Sequence, residues 1–184
     1  MLKHLCLTLA ILSTGAGAAL AHSFNLLLIV PAEAQAGEDM RLAVLLAADE
    51  RDGHPDNHSD GHLGGLDVYL TDTMQLSAPE AWGEAEPDVV IDVLIAGIAG
   101  EEEPDWLRIS LQDLELIDRQ ATLNEAADPS VAPFAERFRA ETGREPGAEV
   151  EAAYVAARIV DLIVRPLDDG GDAEALRREL DALK

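Results

Sequence analysis

Residues 52–63 read DGHPDNHSDGHL, three consecutive units of Asp, Gly or Asn, His and one further residue. Imidazole is the commonest protein ligand for zinc, copper and nickel, and interleaved carboxylates can bind the same ion or orient the rings. His54, His58 and His62, with Asp56 and Asp60, are therefore the candidate metal ligands, and zinc or copper the candidate ion. The three histidines fall at i, i+4 and i+8, but Gly53, Pro55, Asn57 and Gly61 oppose a helix. A loop can gather such groups without preorganising them, so the expected affinity is moderate. A calcium-loop reading places Asp56, His58, Asp60, Gly61 and Asp67 at positions 1, 3, 5, 6 and 12. It is the poorer fit, because His is a weak calcium ligand, the closing residue is Asp instead of Glu, and a strand pattern follows where a helix is required. The plain alternative to both is a solvated polar loop. His22 adds a further option: as a mature N-terminal residue it could chelate copper through its amine and imidazole.

Other constellations carry less chemistry. Asp113, Glu115 and Asp118 near Arg119 could be combined into an acid/base group, yet charges so spaced are usually a solvated face. Glu101, Glu102 and Glu103 run into a turn at Pro104, and Trp82 and Trp106 read as packing residues. There is no Gly-x-Ser-x-Gly elbow and no phosphate-cradling loop. The expectation is a protein that is not an enzyme.

The N-terminal stretch MLKHLCLTLAILSTGAGAALA has a basic start, a short apolar run and a small-residue end at Ala19-Leu20-Ala21. That is the pattern of a cleaved secretory signal over residues 1–21, with residues 22–184 forming one mature domain in the periplasm. The apolar run is shorter than the ~18 to 20 residues that span a bilayer, so no membrane insertion is expected. Cys6, the only cysteine, would leave with the signal, which removes disulfide and thiolate chemistry. With 36 acidic against 13 basic side chains the net charge is -23, a field that repels nucleic acid and anionic lipid while attracting cations. Acidity on this scale also simply keeps an exported protein soluble.

The elements that must position these residues follow from the apolar pattern. FNLLLIV (24–30), ending at Pro31, is a strand buried on both faces. EDMRLAVLLAADERD (38–52) has helical spacing, LDVYLTD (66–72) is a second strand, and DVVIDVLIAGIAG (88–100) a third. Ser77 and Glu80 form a capping-box pattern before Trp82. Either WLRISL or LELID could supply a fourth strand. Three helices close the chain: 131–142 ending at Gly143, 148–164, and 173–183 with Asp172 as N-cap. Val150, Ala153, Tyr154, Ala157, Val160, Asp161 and Val164 share the side of the middle helix expected to face the sheet. The fold predicted is α/β, a three-layer, doubly wound, mostly parallel sheet of about four strands in the order 2-1-3-4. In such a sheet a ligand sits at the carboxyl ends of the strands, here near Pro31 to Gly37, Thr71 to Thr73 and Gly97 to Glu101.

Both ends of the chain carry a family likeness. FAERFRAETGREPGAEVEAAYVAARIVDLIVRPLDDGGDAEALRRELDAL (134–183) resembles the C-terminal part of the type I periplasmic binding proteins, a group that includes leucine/isoleucine/valine receptors of ABC importers. The matching features are the Gly-x-x-Pro turn at Gly143 to Pro146, Tyr-x-Ala at Tyr154 to Ala156, and the acidic loop Asp168 to Asp172 before a capped helix. Phe24 to Asp72, with GHLGGLDVYLTD, resembles that family's first strand, helix and second strand. The resemblance implies a single lobe of the binding-protein fold, shortened to about half the family's length. Its expected function is as a periplasmic solute-binding or accessory protein working with an ABC permease. Pro31, Thr71, Asp72 and Gly97 are the candidate ligand-binding residues. Where the family holds its ligand's carboxylate with small hydroxyl residues after the third strand, this chain has AGIAGEEEPD, which would repel one. The alternatives are a metal-binding or metal-delivering protein using residues 52–62, and a non-catalytic partner of an exported complex, for instance a dimer that restores the second lobe.

Overall fold

A computed structural model of the chain describes residues 23–50, 59–74, 86–94, 105–126, 128–167 and 172–184. The apolar run after the expected signal forms strand β1 (Ser23–Ile29), which lies in the middle of the sheet. On one side it pairs in parallel with β3 (Leu66–Thr73), from Ser23 opposite Asp67 to Ile29 opposite Thr73. On the other it pairs in parallel with β4 (Val89–Asp92), which in turn carries β5 (Leu107–Ser110), also parallel. A two-residue strand, β2 (His62–Leu63), adds antiparallel to the outside of β3. The hairpin between them turns on Gly64 and Gly65, both with positive φ (63° and 89°), a conformation glycine adopts without a side-chain clash.

The chain is thus α/β, but the sheet is mixed and five-stranded in the order β2-β3-β1-β4-β5, not a four-stranded sheet in the order 2-1-3-4. The difference is β2, which the glycines of the Asp/His stretch hide from any periodicity. The four parallel strands keep the relative arrangement that was expected. WLRIS supplies the last of them, whereas LELID lies largely in helix α2 (Leu111–Leu116). Ser110 decides this boundary: its hydroxyl caps Asp113 N–H while the Asp113 carboxylate accepts from Ser110 N–H at 2.9 Å, so the strand stops and a helix starts at one residue.

Helix α1 (Ala34–Asp49) begins four residues earlier than its apolar pattern suggested, because AQAG joins the helix. Helices α3 (Arg119–Ala126), α4 (Phe134–Thr142), α5 (Ala148–Val164) and α6 (Ala173–Ala182) follow. Gly143 ends α4 in the left-handed conformation (φ 71°), and the Asp172 carboxylate caps α6 by accepting from Ala175 N–H at 2.8 Å.

Phe24, Leu26 and Leu28 of β1, with Val89 and Ile91 of β4 and Ile109 of β5, pack against Met40, Val44 and Ala47 of α1 and the apolar length of α5. Leu27, Ile29 and Val90 point the other way and form a separate buried cluster with Leu94 and Trp106. No described helix contributes a side chain to that second cluster, so among the described residues the helices gather on one face of the sheet. Helix α5 is also not amphipathic in the expected way. Ala152, Val155, Ala156, Arg158, Ile159 and Ile163 are buried along with its sheet-facing residues, because α1, α3 and α6 pack around it. Among the described residues no helix is long and apolar enough to cross a membrane.

Candidate functional site

The chain leaves β1 at Val30, whose N–H donates to Thr73 O at 2.9 Å and so holds the end of β1 against the end of β3. Pro31 cannot continue a parallel ladder, and within three residues the chain turns into α1. Glu33 is the N-cap, in extended conformation, and its side chain makes no cap hydrogen bond. The first turn of α1 passes close to the strand end at Gly37, where an added Cβ would lie 3.4 Å from the Val30 Cβ.

This geometry leaves a cleft of about 550 Å³ at the carboxyl ends of β1 and β3. Its floor is Val30, Pro31 and Ala32; Ala34, Gly37, Glu38 and Arg41 of α1 form one wall, and Asp72, Thr73 and Met74 the other. The cleft is largely apolar with charge at its edges. Arg41 spans the two walls: its Nη1 donates to Asp72 Oδ1 at 2.9 Å and to Leu70 O at 3.1 Å, and its Nη2 lies 3.6 Å from Asp60 Oδ1. One guanidinium nitrogen is thereby bound to both walls and the other faces Asp60, while Glu38, exposed on α1, has no ion-pair partner among the described residues.

Of the candidate ligand residues, Pro31 and Asp72 line this cleft. Thr71 does not; it sits one position before Asp72 in β3, opposite Leu27 of β1. Gly97 lies outside the described residues, as do residues 95–104 around it.

The candidate metal ligands are only partly within view. His54, Asp56 and His58 lie outside the described residues, as does His22. Asp60 and His62 are both used by the fold. One Asp60 oxygen accepts from Leu70 N–H at 2.8 Å and the other faces Arg41, whereas His62 Nε2 lies 2.7 Å from Asp67 Oδ1 across the hairpin. Among the described residues no three His, Cys, Asp or Glu side chains come together as a metal site. The calcium-loop positions Asp60 and Asp67 are likewise bound to Leu70, Arg41 and His62, not turned to a common centre.

A second polar centre has no sequence motif to mark it. Glu50, just past the end of α1, accepts from the Tyr154 hydroxyl at 2.5 Å, pairs with Arg137, and lies 3.1 Å from Arg158 Nη1. Arg158 also donates to Ala47 O at 3.0 Å and lies 3.3 Å from Asp161, which pairs with Arg165 and accepts from Gly64 N–H at 2.8 Å. Burial and the neighbouring Glu50 carboxylate both push the Tyr154 phenol well above its ordinary range. The signal that would have found this centre is Arg158, a cation inside an otherwise apolar helix, with anion and cation at i+3 and i+7. Its charges pair with one another, so the arrangement fastens α1, α4, α5 and the β2–β3 hairpin together.

A smaller cleft of about 240 Å³ separates β5 from α6, with Arg108, Arg177 and Lys184 facing Asp113 and Asp181. Burial acts to raise the Asp113 carboxyl, but the Ser110 N–H and hydroxyl and the Lys184 ammonium outweigh it and hold the group below its ordinary value. Arg108 is paired with buried Asp92 at 2.5 Å, Arg177 donates to Trp106 O at 3.1 Å, and Lys184 bridges Asp113 and Asp181 at 3.0 and 2.9 Å. Its charges answer each other, which leaves the 550 Å³ cleft as the better candidate site. In comparisons with known proteins, the chain matches no family model, no curated protein and no solved structure.

Proposed function

We propose that this chain is an exported, non-catalytic binding protein that takes a small organic solute in the cleft between β1, β3 and α1. The observation that carries the reading is the position of that cleft. It opens at the carboxyl ends of adjacent parallel strands, beside the N-terminus of the helix that connects them, where open α/β sheets hold their ligands. Its volume suits a small molecule, its lining is mainly apolar, and its few polar groups stand at the rim. Among the described residues no nucleophile–base pair lines it, which favours binding over turnover.

In this reading the chain is one lobe of a type I periplasmic binding-protein fold, delivered to the periplasm by residues 1–21 and passing its solute to an ABC permease. The test is a thermal-shift screen of the protein, without residues 1–21, against amino acids, amines and small organic acids. A solute present at about 100 times its Kd should add about 2.7 kcal/mol of stability. Gly37→Leu, which places a side chain in the cleft, should remove the shift while leaving the unliganded melting temperature within a few degrees. A screen with no responding solute, or a response that survives Gly37→Leu, sinks the proposal.

A further inference from the structure

We propose that the cleft selects a monocationic amine carrying an apolar body, an inference that rests on the solute-binding reading above. Among the described residues three charged side chains line it, and two of them, Arg41 and Asp72, neutralise each other at 2.9 Å. Arg41 also has Leu70 O and a second carboxylate, Asp60, beside it, so a ligand carboxylate would bring a third anion to a single cation. Glu38 is the charge left over, exposed on the cleft wall.

The uncapped N-terminus of α1 would ordinarily attract an anion, with the equivalent of roughly half a positive charge. Here Glu33 at the N-cap and Glu38 one residue past the first turn carry two full negative charges beside it. The whole chain adds a net charge of -23, which concentrates cations near every surface opening and repels anions. The rest of the described lining is uncharged, with Thr73 as its one polar side chain, so it gives a second charged group on the ligand no opposite charge. Met74, 64% exposed at the rim, is a flexible thioether suited to an aromatic or branched body. A cleft of about 550 Å³ takes a ring with a two-carbon amine arm with room to spare.

Three probes built on one skeleton separate the possibilities: phenethylammonium, phenylalanine, which adds a carboxylate, and 3-phenylpropionate, which has the carboxylate and no amine. Isothermal titration of the mature protein should give binding to phenethylammonium, weaker binding to phenylalanine and none to 3-phenylpropionate. Glu38→Gln should weaken phenethylammonium about fivefold, the worth of one exposed ion pair, whereas Glu125→Gln on α3 should leave it unchanged. Raising the salt concentration should weaken it as well. Tighter binding of 3-phenylpropionate or phenylalanine, no binding of phenethylammonium, or indifference to Glu38→Gln overturns the inference. In each of those cases the solute-binding reading stands if any member of the wider screen binds and Gly37→Leu abolishes it, and falls if none does.

Discussion

Arg158 reaches Glu50 across the packing of α5 on α1, Nη1 to Oε2 at 3.1 Å, with both side chains buried. Removing one partner of such a pair strands the other in a medium that cannot solvate it. Arg158→Met should therefore cost about 3 kcal/mol in urea unfolding, since Arg137 and Tyr154 still contact Glu50. The double variant Glu50→Leu with Arg158→Met should cost less than the sum of its single changes, and strict additivity would show that the two residues do not interact.

Tyr154 gives a pH signature. Its ring stacks on Phe134 with centroids 4.1 Å apart, and its hydroxyl donates to Glu50. Because the folded phenol holds its proton above the range where the unfolded one releases it, the unfolded state binds fewer protons at alkaline pH. Stability from this group is complete below the unfolded value of about 10 and falls as pH rises beyond it. Tyr154→Phe, which keeps the stack, should lose about 1.5 to 3 kcal/mol at neutral pH and flatten the alkaline limb. A variant whose stability still declines with wild-type steepness would remove Tyr154 as the cause.

Asp113 acts in the opposite direction. Its carboxyl is held below its ordinary value in the folded protein, so its contribution is present above the unfolded value near 3.9 and fades as pH drops through the folded one. Asp113→Asn should cost about 1 kcal/mol at neutral pH, through the α2 capping box and the Lys184 pair, and should cost little in acid. Denaturation midpoints at the two pH values check this.

Gly64 and Gly143 share nearly the same backbone, φ 63° and 71°, in different surroundings. A Cβ at Gly64 would lie 2.8 Å from Val164 side-chain atoms and 3.0 Å from Arg165 N, while one at Gly143 meets nothing within 4 Å. Gly143→Ala should cost about 1 kcal/mol, the left-handed penalty alone. Gly64→Ala should cost about 2 to 4 kcal/mol, because overpacking adds to it. Equal losses in thermal melts would mean the hairpin moves off α5 freely.

The Asp/His stretch can be tested as a metal site apart from the fold. Zinc bound there through His62 Nε2 must displace Asp67, and through Asp60 must displace Leu70 N–H or Arg41. Uptake in calorimetry should therefore depend on His54 and His58 more than on His62, and Asp60→Asn should lower the melting temperature without changing uptake. Loss of zinc binding in His62→Ala alone would reverse that order.

The parts of the fold that were legible are those where one local rule dominates. FNLLLIV can satisfy its surface only as a central strand, and Gly143 and Asp172 mark helix ends by their own chemistry. Topology points to the strand ends where Pro31 and Asp72 line the cleft, whereas no local pattern singles out Arg41, whose partners Leu70, Asp72 and Asp60 are distant in sequence. The polar centre at Glu50 was hidden for the same reason: its partners come from α4 and α5, more than eighty residues away. β2 is two residues long and preceded by glycine, which leaves no period to read.

Among the described residues the outer edge of β3 ends in side chains instead of a further strand. β2 and the residues before it pair with it as far as Val68; beyond that the Asp60 carboxylate takes Leu70 N–H and the Arg41 guanidinium takes Leu70 O. An approaching backbone from another molecule finds those positions already filled, and a charged pair standing in its way. The same salt contact that lines the cleft therefore also hinders strand addition at this edge of the sheet.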